Sequence, residues 1–150
     1  MASPLPNIAA WGRLCRMLLA MAGAYGVLAI GFGAYRAHGL PRALQAAGLE
    51  SEEIAERVSH LGLAVQYTLI HALAIVAVIA LTNLRLRTVT ASLFCLGIFF
   101  FSGSLTLDAV WGRDVPSFIP PLGGMLLIAG WLSLIILTWF PPRAKGKATC

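Results

Sequence analysis

Charge is scarce in this 150-residue chain. Asp, Glu, Lys and Arg together make up 11% of it, against about 25% in an ordinary soluble domain. Hydrophobic residues make up 59%, and the mean hydropathy is +0.82. That balance excludes an ordinary soluble domain. The net charge of +5 does not point to nucleic acid. Its Lys and Arg are scattered among short hydrophilic segments and form no basic stripe. Cysteine is scarce too. Cys15, Cys95 and Cys150 show no CxxC and no Cys/His spacing, so neither a disulfide framework nor a zinc site is indicated. There is no GxSxG, HExxH or phosphate-binding loop, which removes the commonest sequence signatures of catalysis. The expectation is a protein that is not an enzyme and holds no cofactor and no metal.

Long apolar runs are what the chain does have. Four of them, at about 14–35, 61–81, 89–111 and 119–140, are long enough to span a bilayer, which needs about 20 residues. They are continuous rather than alternating, so a β-barrel is excluded. In lipid each run must satisfy its own backbone groups, and helices follow. The first run exceeds the h-region of a signal peptide, about 7–15 residues, and lacks an A-x-A exit. The fold expected is an all-α integral membrane bundle of four transmembrane helices, in one domain over 1–150.

The one sizeable connection is 36–60. PRALQAAGL is expected to form a short interfacial helix, with Pro41 at its start and Gly48 near its end. Ser51 can cap the next helix, and Glu52 and Glu53 suit its first turn. Topology comes from the basic residues. Arg13, Arg16, Arg85, Arg87, Arg143, Lys145 and Lys147 share one side, and Arg36, Arg42, Arg57 and Arg113 the other. The richer side faces the cytoplasm, which places both termini there. Trp11, Tyr35, Trp111 and Trp139 fall near span ends, where such side chains anchor. Trp131 falls mid-span and reads as helix packing.

The run AVQYTLIHALAIVAVIAL carries His71. It lies about 15 Å below the start of its span by helical rise. Tyr67 is one turn above it on the same face. Counted back from Trp111, Ser104 and Ser102 lie at about 10–14 Å and Asp108 at about 5 Å. Tyr67, His71, Ser102, Ser104 and Asp108 therefore form a candidate intramembrane polar cluster. His71 is expected between helices as a neutral imidazole, bonded to Ser102 or Ser104. One role for it is structural, an interhelical hydrogen bond. The other is functional, in a small-solute or proton-conducting protein. A bis-histidine haem needs imidazoles at matched depth, and His38 lies well above His71. A surface metal site from His38, Glu56 and His60 follows no known spacing. Gly103, Gly123, Gly124 and Gly130 are expected to let helices approach closely.

Four segments together carry a family resemblance: GFGAYRAHGL, QYTLIHALAI, FFFSGSLTL and PPLGGMLLIAGW. In this order they resemble the YgdD-like small four-span membrane proteins, domain of unknown function 423. The family pattern reads GAFGAHGL, YQxxHALA, FSGSLYxLA and TPLGGxxFLAGW. His38 and Gly39 correspond to its first motif, and Tyr67 and His71 to its second. The third corresponds to 101–105, and the fourth to 121–124 with Gly130 and Trp131. Arg36 stands in place of Gly, Thr68 in place of Gln and Pro120 in place of Thr, while Asp108 interrupts an apolar stretch. The resemblance implies a multi-pass inner-membrane protein with no established activity. Its expected partners are the lipid bilayer and either further copies of itself, as a homo-oligomer, or a larger membrane complex.

Overall fold

The computed structural model describes residues 12–81 and 87–137. Trp11, Arg85, Trp139, Arg143, Lys145, Lys147 and Cys150 lie outside the described residues. Among the described residues there are four helices: α1 Arg13–Ala46, α2 Ser51–Leu81, α3 Arg87–Trp111 and α4 Ile119–Leu137. All four are long and apolar enough to cross a membrane.

Two of them are longer than a bilayer needs. α1 has 34 residues and α2 has 31, while a hydrocarbon core about 30 Å thick takes about 20. The excess lies at the end of the bundle where α1 turns into α2, here called the hairpin end.

The separate interfacial helix expected after Tyr35 is not formed. The segment continues α1 without interruption to Ala46, with Pro41 inside the helix. A proline in a helix interior costs about 3 kcal/mol. What offsets it is burial. Leu40 and Leu44, one turn apart, are buried with Leu61 and Ala109, and each leucine contributes about 1.5–3 kcal/mol. The helix ends instead at Gly48, whose φ of 78° a side chain would resist. Gly48 N–H donates to the Gln45 carbonyl and Leu49 N–H to that of Leu44, the paired bonds of a Schellman cap. α3 ends similarly at Gly112, φ 58°, whose N–H donates to the Asp108 carbonyl at 2.9 Å. Pro120 and Pro121 sit in the first turn of α4, where the missing donors had no helical partner.

α2 and α3 form the centre. α1 packs mainly on α2 and α4 on α3, and α1 and α4 do not pack extensively on each other. One apolar core lies toward the far end and includes Leu18, Ile75, Ile79, Phe94, Ile98 and Leu127. The smaller one, around Leu40 and Leu61, closes the hairpin end.

Close approach of α3 and α4 rests on three glycines. A Cβ at Gly97 would overlap Leu127, and one at Gly123 would overlap the Phe101 backbone. At Gly130 it would come within 2.5 Å of the Phe94 ring. Gly103 is a correction, because a Cβ there meets nothing within 4 Å. At Gly124 it would meet only Phe101, at 3.9 Å. Both glycines lie on helix faces turned away from the contact. Thr90 and Ser133 add a polar tie between α3 and α4 at 2.8 Å. Ser133 donates to the Gly130 carbonyl, so Thr90 is the donor between them. Cys95 is a buried free thiol. Cys15 is buried in the same core.

Candidate functional site

His71 is 4% exposed and sits at the meeting of α2, α3 and α4. Its Nδ1 lies 2.7 Å from the carbonyl oxygen of Tyr67, one turn earlier. A carbonyl only accepts, so Nδ1 carries the proton. Its Nε2 accepts a hydrogen bond from Trp131 Nε1 at 3.1 Å. The two contacts are compatible with one neutral tautomer. Rings enclose the imidazole. Tyr67 stacks with a centroid separation of 5.7 Å, Phe94 lies at 5.4 Å, and Trp131 meets it edge-on at 6.0 Å.

The serines expected to hold His71 do not. Ser104 donates to the Phe101 carbonyl within its own helix at 2.8 Å. Ser102 Oγ is buried and has no hydrogen-bond partner among the described residues. The partner is Trp131, which does more than pack. Depth counting held the signal. Trp131 is twelve residues into α4, about 18 Å by rise and near the depth counted for His71.

Asp108 belongs to a different group. Its Oδ2 lies 2.6 Å from His60 Nδ1, a tie between α3 and α2 near the hairpin end. Glu56 approaches the other face of His60 at 3.9 Å, and Arg57 pairs with Glu53 at 2.6 Å. Arg36 Nε donates to the Val58 carbonyl at 2.9 Å, so Arg36 ties α1 to α2. Among the described residues, no group of three or more His, Cys, Asp and Glu side chains could hold a metal ion.

Ser102 and Ser104 instead line a cavity of about 440 Å³, together with Thr68 and Gly103. Its remaining walls are overwhelmingly apolar, and neither His71 nor Asp108 takes part. The residues of the candidate polar cluster thus occupy three places: a ring cage around His71 with Tyr67, a tie at Asp108, and a cavity wall at Ser102 and Ser104.

Four apolar spans with buried polar ties define a small multi-pass α-helical membrane protein. Comparison with known proteins places it more closely. The chain belongs to the family described as a protein of unknown function (DUF423), whose model matches residues 32–124. It is 33% identical to a UPF0382 membrane protein of Haemophilus influenzae over 73% of this chain and 82% of that one. It is 36% identical to the UPF0382 membrane protein SSP2132 of Staphylococcus saprophyticus, over 75% and 88%. Identity to the UPF0382 membrane protein YwdK of Bacillus subtilis is 35%, over 73% and 85%. No solved structure matches the chain.

Proposed function

We infer that this protein acts by packing and interaction within the membrane, as a single four-helix domain, and neither conducts solute nor catalyses a reaction. The observation that carries this is the state of His71. Both ring nitrogens are engaged, one by a backbone carbonyl and one by an indole N–H. A proton relay would need Nε2 to leave Trp131 and meet water. The large cavity is walled mostly by apolar groups and does not include His71, which argues against a wet path. Catalysis has no better footing. The His60–Asp108 pair has no hydroxyl or thiol bonded to it among the described residues, so a base lacks a nucleophile to activate.

The interaction surfaces are the outward faces of α1 and α4, which carry the exposed Val27, Ile30, Met125 and Ile128. These meet lipid tails and, in this reading, further copies or a larger membrane complex. The setting is the cell inner membrane, with both termini cytoplasmic by the charge argument.

Reconstitution into vesicles loaded with a pH-sensitive dye tests the reading. Proton flux should equal that of protein-free vesicles, in wild type and in His71→Gln alike. A flux that wild type carries and His71→Gln abolishes, with the fold intact, would replace this reading with conduction.

A further inference from the structure

The two apolar cores leave a gap between them. One core holds the far end of the bundle and the other the hairpin end. Between them the facing stretches of α1, α2 and α3 surround the 440 Å³ cavity. That volume falls within the range of small-molecule sites, about 300–1,000 Å³.

Three features show that this is a built site rather than loose packing. The first is Ser102. A serine inside a helix ordinarily returns its hydroxyl to a carbonyl one turn back. Its helix neighbours Ser104 and Thr106 both do so, to the carbonyls of Phe101 and Ser102 at 2.8 Å. Ser102 does not, although it is only 3% exposed. A buried hydroxyl left without a partner is costly, so an acceptor from outside the chain would satisfy it. The second feature is Gly103, which lines the same wall and leaves open the space a side chain would fill. The third is the mouth. Leu28, Phe99 and Leu107 line the cavity and are exposed, so access is sideways from the lipid.

The walls also describe the occupant. No Asp, Glu, Lys, Arg or His lines the cavity, so the occupant is neutral. Phe32, Phe99 and Phe100 offer flat apolar contacts. Ser102 lies nine residues before Trp111 at the end of α3, about 13–14 Å along the helix and close to half the hydrocarbon thickness. The ester oxygens of a phospholipid stay at the interface and do not reach that depth. We propose that the cavity binds a neutral, membrane-soluble molecule of the quinone or sterol type, whose carbonyl or hydroxyl oxygen pairs with Ser102 near the bilayer midplane. The site is independent of the His71–Trp131 pair and of the packing role argued above.

The test uses the full-length protein in detergent, titrated with a decyl-substituted benzoquinone and read by native mass spectrometry. Wild type should bind the probe. Ser102→Thr, which keeps the hydroxyl, should retain binding, and Ser102→Ala should weaken it about 2- to 10-fold. Gly103→Leu fills open space and should remove binding while leaving the unliganded melting temperature near wild type. Equal affinity in wild type, Ser102→Ala and Gly103→Leu would overturn the site. So would a loss in Gly103→Leu without any in Ser102→Ala, because the oxygen contact is then absent. Retention of phosphatidylglycerol alone, with no probe bound, would show an acyl-chain groove and overturn the proposal equally.

Discussion

An imidazole and an indole suit one another inside a bilayer because each meets the other's need. Trp131 is 45% exposed, but its N–H has no acceptor in lipid. His71 is buried and needs a donor for Nε2 once Nδ1 has gone to the Tyr67 carbonyl. The bond therefore orients α4 against α2 across the Phe94 ring. Interhelical hydrogen bonds in membranes average about 0.6 kcal/mol and reach about 1.7. A double-mutant cycle of His71→Leu and Trp131→Phe, read by unfolding in mixed micelles, should give a coupling in that range. His71→Gln, which can still accept from the indole, should cost less than His71→Leu. Zero coupling would remove the bond from the account. Glycines divide in the same physical way. Gly97→Ala and Gly123→Ala force a methyl group into a neighbouring helix and should each destabilise by about 1–3 kcal/mol. Gly103→Ala meets open space and should be neutral or gain about 0.5–1 kcal/mol from helix propensity. Equal effects at all three would show that close approach is not what these positions serve.

At the scale of elements, the helices were legible because a bilayer imposes length and apolarity at once. The runs at 61–81 and 89–111 fall within α2 and α3, and α4 at Ile119–Leu137 falls within the run at 119–140. The first helix was legible only in part. Past Tyr35 the sequence turns polar, and Pro41 looks like the start of something new. What carries the helix on is contact with Leu61 and Ala109, which no local pattern announces. The partner of His71 was hidden for a related reason. In lipid both the packed and the exposed faces of a helix are apolar, so hydropathy does not say which way a residue at a given depth turns. Depth placed His71 and Trp131 near one level, and rotation about the helix axes decided that they meet. The same ambiguity made Gly103 look like Gly123. Hydrogen exchange checks the continuous helix. Backbone amides over 40–46, Pro41 aside, should be protected to a similar degree as those over 54–60. Rapid exchange confined to 36–46 would favour a break at Pro41.

For the whole molecule the expected orientation follows from where the charges fall along the chain. Seven basic residues lie on the side of the chain ends and four on the hairpin side, while all six acids lie on or toward the hairpin side. By the positive-inside rule the ends are expected in the cytoplasm, because basic residues flanking short loops act while the helices are being inserted. In that orientation the hairpin end projects α1 and α2 outward, carrying Glu50, Glu52, Glu53 and Glu56 away from the cytoplasm. Labelling tests this orientation. In a background with all three native cysteines replaced by serine, a cysteine at Ser51 should react with a membrane-impermeant maleimide in intact cells. One at Lys147 should react only after permeabilisation. The opposite pattern would invert the molecule, with the hairpin end and its acidic face then turned toward the cytoplasm.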